Sequence, residues 1–563
     1  MKALSVILPI AAITMACGTE RGTGSSSPTG GTVIASIPGD AADIFPAFVG
    51  EQNGAAVRDL VFDRLAAIGP GLNTVGDKGF TPELAKSWTW ASDSLSIAFS
   101  LDPKARWHDG KSVTAADVKY SFATFTDPKA HSPVAPLLVN IDSVAVRDSS
   151  TAVFYFKKRT PEQFYDVAFQ LFVVPEHIYG KVPLESLRTS ELIKTPIGSG
   201  RFRFVRWESD VRIELVADTA NYRGRPKLDR VILTPYTESA AAATQVLAGQ
   251  SDFVQAYPID RIAELDSSKQ ARGQTVPTQQ YTFLRMNPFV PRSTRREPHP
   301  VFADIRVRRA LSMAVDRTAM LHNVFGDLGR IAHGPFPMGL TTSDSTLRLP
   351  PFDTVAAAAL LDSAGWRRGA DGMRSKNGRP LRFSMLTLST SVPRMKYAVL
   401  LQEAFRRLGV RADIERMDGK AFQARVVPEG NHAGDFDAML NAFQPDPSVS
   451  GAKQNWATEG IGPDGQNWLF YSNKTVDAAL DSSIASFDPA KAKVYASRAF
   501  QQVIDDVPAI WLYDVIYVAG VNRRLEIPPL RSEGWHVNLA DWSIPPAKRI
   551  DRDRIGLAPP AKR

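Results

Sequence analysis

The sequence has a single cysteine, Cys17, among 563 residues, which excludes an intrachain disulfide and a cysteine-cluster metal site. Long apolar runs are equally scarce: beyond the N-terminus none approaches the roughly 18 apolar residues that a membrane-spanning helix needs. The 67 Lys and Arg against 59 Asp and Glu give a formal charge of +8, but basic blocks are missing and no RNA- or DNA-binding motif accompanies the charge. Nucleic acid is therefore not an expected partner. The commonest catalytic signatures are absent too: there is no G-x-S-x-G elbow, no H-E-x-x-H pair and no G-x-x-x-x-G-K-[ST] loop. Gly460 to Gly465 fits G-x-G-x-x-G, yet Pro463 and Asp464 suit a turn and no strand precedes them, so a dinucleotide site is not expected. The eight histidines are scattered and none pair at metal-ligand spacing. Neither a metal nor a cofactor is expected.

What is present is ordinary globular composition, 44% hydrophobic and 22% charged, on a chain longer than the roughly 250–300 residues at which single cores stop growing. Several domains are expected. Lys2 precedes an apolar run from Ala3 to Ala16, too short for a bilayer of roughly 30 Å but suited to a secretory signal, residues 1–16. Ala16 before Cys17 looks like a bacterial lipobox, although Thr14 stands where leucine is usual. Cys17 is thus the expected lipid anchor, opening a Gly- and Ser-rich tether over 17–31. This pattern predicts an exported protein, in the periplasm or at the cell surface, held to the membrane by its N-terminus.

Further on, Thr32 to Ile37 reads as an apolar strand, and Ala56, Leu60, Val61 and Leu65 recur at helical spacing. Ser87 to Ala91 and Leu95 to Leu101 flank the turn-forming Ser92-Asp93-Ser94, which predicts a hairpin. Thr114, three residues before Asp117, predicts the capped start of a helix reaching about Phe125. Trp107, Trp88, Val118 and Leu101 read as core. Arg306, Arg308, Arg309 and Arg317 read as the exposed face and ends of an amphipathic helix, not an anion site.

One stretch goes further. Arg106 to Phe122 (RWHDGKSVTAADVKYSF) resembles a signature segment of the family 5 solute-binding proteins, the receptors of peptide and nickel ABC importers. Pro82 to Trp88, Thr195 to Phe202, Asn221-Tyr222 with Pro226 to Asp229, and Ile305 to Arg317 resemble further segments of that family in order. So do Leu360 to Trp366, Gly434 to Asp437 and Asp506 to Leu512, and together they cover about residues 32–545.

The resemblance implies a class II periplasmic-binding-protein fold, α/β, with two lobes and an extra domain. Lobe I would combine 32–75, 195–285 and 521–545, with a second domain over 76–194; lobe II would span 286–520, leaving a tail over 546–563. It also implies a monomer that holds a peptide or other small solute between its lobes for an ABC permease and ATPase, without catalysis. A sensor or adhesin on the same fold is the alternative, and an enzyme a more remote one. In peptide-binding members an aspartate of the pocket loop pairs with the peptide α-amine; here the loop reads Asn441-Ala442-Phe443-Gln444-Pro445-Asp446-Pro447, and Phe443 falls at that position. Peptides, N-blocked peptides, sugars, opines and metal chelates stay open as ligands. The expected ligand-binding residues are Phe48, Tyr281, Asn287, Asn441, Phe443, Gln444, Asp446 and Trp456, with His432 the first suspect should a metal site assemble in space.

Overall fold

The computed structural model describes residues 27–555 apart from 338, 339, 341, 428–431, 463 and 464. The expected signal segment 1–16, Cys17, the first part of the tether and residues 556–563 lie outside the described residues.

Thr32–Ile37 is a strand at the predicted bounds, buried along almost its whole length. It pairs in parallel with Arg230–Pro235 on one side and Phe253–Val254 on the other, the setting in which a strand reads as continuously apolar. The full sheet has seven strands in the order Ala271–Val276, Tyr517–Asn522, Phe253–Val254, Thr32–Ile37, Arg230–Pro235, Arg212–Ala217 and Phe202–Glu208. The predicted hairpin forms between Ala85–Trp90 and Ser96–Leu101. Ser94 in its turn adopts the left-handed backbone at φ 58°, which short polar residues tolerate. Thr151–Phe156 and Ile141–Asp148 complete a four-stranded sheet. The helix Ala115–Thr126 begins after Thr114, whose N–H donates to the Asp117 carboxylate at 2.8 Å, so the acid closes the cap.

A second large sheet has the order Arg330–Ile331, Ala509–Asp514, Tyr281–Met286, Ala438–Phe443, Arg382–Leu388 and Arg411–Met417. Every residue of its central strands Tyr281–Met286 and Ala509–Asp514 is buried. The chain passes between the two large sheets twice, through residues 277–280 and 515–516. These connectors lie side by side, with the Val515 N–H donating to the Gln280 carbonyl at 2.8 Å. Both expected boundaries move accordingly. The one at 285 falls inside Tyr281–Met286, whose whole length pairs in the six-stranded sheet, and the one at 521 falls inside Tyr517–Asn522, which pairs throughout with Ala271–Val276. Strand pairing, invisible to composition, decides membership.

The expected basic helix is two helices, Ile305–Met313 and Arg317–Phe325. Arg317 is buried, not exposed, and donates to the Trp511 carbonyl and the Ser312 hydroxyl at 2.8 and 2.9 Å. Its charge is spent on backbone and hydroxyl acceptors.

Candidate ligand-binding cavity

A cavity of about 650 Å³ opens where strand ends of the two large sheets face each other, a size typical of small-ligand pockets. From the seven-stranded side come Tyr236, Gln255 and Tyr257, with Arg58 and Asp59 of the helix Gln52–Val61; from the six-stranded side come Thr282, Asn441 and Phe443. The connectors contribute Gln279, Gln280, Val515 and Ile516. Nine glutamines line the space: Gln52, Gln170, Gln255, Gln279, Gln280, Gln423, Gln444, Gln454 and Gln466. Each amide offers donors and an acceptor without charge.

Most of the charged lining groups already have partners. Burial would raise the Asp59 carboxyl, but Arg58, Arg64 and His536 outweigh it and hold it well below the usual range; Arg58 and His536 stand 2.8 and 3.2 Å away. The Arg64 guanidinium lies 4.1 Å from the Phe169 ring centre and 3.9 Å from that of Phe172. Glu51 caps the helix Gln52–Val61 through the N–H groups of Asn53 and Gly54, and burial raises its carboxyl. Glu533 is paired with Arg531. Asp446 accepts from the Tyr165 hydroxyl at 2.7 Å and from the Gln170 amide.

Arg394 is different. Its Nη1 donates to the Asn441 side-chain oxygen at 2.9 Å, and no carboxylate pairs with it among the described residues. Its charge opposes the burial that raises the Tyr513 hydroxyl, to about 12, and the Tyr517 hydroxyl, so all three groups share one region. Arg394 occupies the first turn of the helix Val392–Arg407, where the macrodipole disfavours a cation. Ser391 gives that helix no side-chain cap, and Ser391, Val392 and Pro393 also line the cavity. A guanidinium and an uncapped helix N-terminus in one wall together suit a carboxylate.

Of the expected ligand-binding residues, Asn441, Phe443, Gln444 and Asp446 meet at this cavity. The other four do not line it. Phe48 is buried beneath the Arg188 guanidinium, 4.2 Å away, while its neighbours Val49 and Gly50 reach the cavity. Tyr281 is fully buried, edge-on to Phe443 at 6.3 Å, while its neighbour Thr282 lines the cavity. Asn287 is buried and donates to the Gly434 and Phe436 carbonyls at 3.2 and 3.0 Å, tying two loops together. Trp456 is core, packed on Trp511 at 6.0 Å and under Arg285 at 5.1 Å. His432 is exposed, and among the described residues no three His, Cys, Asp or Glu gather where they could hold a metal. Gly460 follows the helix Val449–Trp456 rather than a strand, unlike a dinucleotide loop. Arg394, the residue that sequence reasoning missed, carried one signal: an arginine at the start of a helix, against its dipole.

The sequence profile of the bacterial extracellular solute-binding proteins, family 5 (middle region), matches residues 79–460. A putative ABC transporter peptide-binding protein of Brucella ovis is 26% identical over 420 residues, covering 74% of this chain and 75% of its own. The oligopeptide-binding protein AppA of Bacillus subtilis is 23% identical over 526 residues, covering 91% of this chain and 92% of its own. The structure of AppA with a nonapeptide superposes with a TM-score of 0.82, covering 92% of this chain and 99% of that one at 22% identity. NikZ of Campylobacter jejuni, solved with Ni(L-His), superposes with a TM-score of 0.79 at 24% identity, over 91% of this chain and 99% of that one.

Proposed function

Because the chain belongs to the family 5 bacterial extracellular solute-binding proteins, we propose that it captures a small carboxylate-bearing solute between its two large sheets and hands it to the permease and ATPase of an ABC importer. The family is one of transport receptors, exported and not enzymatic. The observation that carries the reading is a 650 Å³ cavity built from both sheets, in which Arg394 has no acidic partner among the described residues. The seven-stranded sheet with its four-stranded neighbour forms one lobe and the six-stranded sheet the other, with 277–280 and 515–516 as the hinge. Ligand favours closure through contacts it makes with both walls at once.

The relatives bind peptides in one case and Ni(L-His) in another, and the cavity here favours a solute without a free α-amine. Phe443 offers an ammonium at most a cation–π contact, and the Asp446 carboxylate is engaged by Tyr165 and Gln170. Arg394 takes the solute's carboxylate, the glutamine amides take its neutral polar groups, and Phe443 packs on its apolar part. Cys17 carries the lipid, and residues 17–31 tether the monomer outside the cytoplasm. The experiment is a thermal-shift screen of N-blocked peptides, opines and chelates against the purified protein. A binder raises the melting temperature by mass action and is recovered unchanged. Chemical conversion of the bound solute overturns the reading, and so does a best binder whose affinity depends on a free α-amine.

A further inference from the structure

The two lobes are also joined beside the cavity by carboxyl groups, one buried and one at the cavity edge. Glu162, 4% exposed, stands just before the helix Gln163–Ala168. Its carboxylate accepts from the Thr74 hydroxyl at 2.9 Å on its own side. Across the seam it accepts from the Ser450 hydroxyl at 2.9 Å and the Val449 N–H at 3.3 Å. Asp446 reaches the opposite way, to the Tyr165 hydroxyl at 2.7 Å and the Gln170 amide. Near them lies Asp166, 6% exposed. No Lys, Arg or His pairs with these three groups among the described residues. Arg64, which faces Tyr165, is engaged by Asp59, and Arg159 at the outer edge lies over the Phe487 ring across the seam, 4.6 Å away.

We propose that Glu162, Asp166 and Asp446 form a proton-linked clasp: closing the lobes takes up a proton that opening releases, so acid favours the closed form and alkali loosens it. Glu162 and Asp166 are buried and Asp446 is partly buried beside them, and carboxylates gathered without a cation cannot all stay ionised cheaply. Burial raises the Glu162 carboxyl and Asp446 pushes in the same direction, which together outweigh the opposing hydrogen bonds from Ser450, Thr74 and Val449. Burial likewise sets Asp166 well above the usual range, and Glu162 and Asp446 add to it. Opening returns Glu162 to water, where a carboxyl titrates near 4. A group whose pKa is higher in the closed form binds its proton there preferentially. The closing equilibrium therefore rises as pH falls from the raised value toward roughly 4, by up to about tenfold per pH unit for one proton. Glu51, also raised, does not join in, because its partners Ala42, Asn53 and Gly54 lie on its own lobe.

The clasp holds whichever solute fills the cavity, so it is tested without one. In the full chain carrying Cys17→Ser, nitroxides are placed at Val139→Cys and Val494→Cys, on opposite lobes and 65% and 67% exposed, and the distance distribution is read by pulsed electron resonance at pH 5 and pH 8. The distance distribution should shift toward the closed form at pH 5 relative to pH 8, and Glu162→Gln and Asp166→Asn should each flatten that response. Should Asp166→Asn fail to fold in a circular-dichroism melt, Glu162→Gln decides. A pH-independent distribution, or an undiminished response in the folded variants, overturns the clasp. Either result leaves ligand capture at Arg394 to be judged by its own binding test.

Discussion

Replacing Arg394 by glutamine keeps a polar group against Asn441 and removes one positive charge from the cavity wall. A hydrogen bond to a charged group contributes about 1.5–3 kcal/mol. Two unit charges 4 Å apart at an effective dielectric near 20 attract by about 4 kcal/mol, an upper figure for a half-buried guanidinium. The loss therefore falls between about 1.5 and 4 kcal/mol, or roughly tenfold to a thousandfold in Kd. Folding should be almost untouched, within about 0.5 kcal/mol, because the described contact of Arg394 is the single hydrogen bond to Asn441, at 2.9 Å, which glutamine can replace. Calorimetry with N-acetyl-trialanine and with its C-terminal amide reads the carboxylate contribution directly. The parent should prefer the acid by the stated factor, and Arg394→Gln should not discriminate. Equal binding of acid and amide by the parent, or an unchanged preference in the variant, refutes the assignment.

Other consequences concern the pocket loop, a motif glycine and the acid limit of stability. Phe443→Asp should gain about tenfold or more for free-amine peptides over their N-acetyl forms, for about 1–2 kcal/mol of lost ring burial; calorimetry showing no gain would place the amine elsewhere. Gly198, in the segment Thr195 to Phe202, has no room for a Cβ, which would stand 1.9 Å from the Val61 carbonyl oxygen. Gly198→Ala should cost about 2–4 kcal/mol in denaturant unfolding, and a loss under about 0.5 kcal/mol would contradict that packing. Asp59 is held well below its ordinary range, with burial opposed by Arg58, Arg64 and His536. Its ionic contribution to stability is present above the unfolded value near 4 and is lost as pH falls below it, at up to about 1.4 kcal/mol per pH unit. Asp59→Asn should lower the melting temperature at neutral pH yet flatten its decline between pH 4 and 3; an equally steep decline would show that other carboxylates set the acid limit.

The parts legible in the sequence were those fixed by local chemistry. The hairpin around Ser94 and the Asp117 cap each depend on neighbours a few residues away, and the strand Thr32–Ile37 shows as a continuous apolar run although its partners lie about 200 residues on. The pocket loop was legible as a block, since Asn441, Phe443, Gln444 and Asp446 follow one another and all reach the cavity. Tyr281 and Thr282 show the limit: one step along a buried strand exchanges core for cavity, and both faces of that strand are covered, so no polar alternation marks the difference. Phe48 and Trp456 lie in the core away from the cavity for a related reason, because an aromatic ring fills a core as readily as it stacks on a ligand. Asn287 looked like a ligand group but serves backbone carbonyls. Arg394 depends on where a helix starts in space, and the clasp joins residues about 280 positions apart, a separation that periodicity cannot bridge.

Whether a solute is held between the lobes against Arg394 is read by native mass spectrometry of the full chain purified under gentle conditions. A noncovalent adduct is expected, released unchanged on denaturation, that bears a carboxylate and no free α-amine. The adduct should be lost from Arg394→Gln and from Ala442→Trp, which fills the cavity from its six-stranded wall. The same adduct at the same occupancy in both folded variants would contradict capture against Arg394.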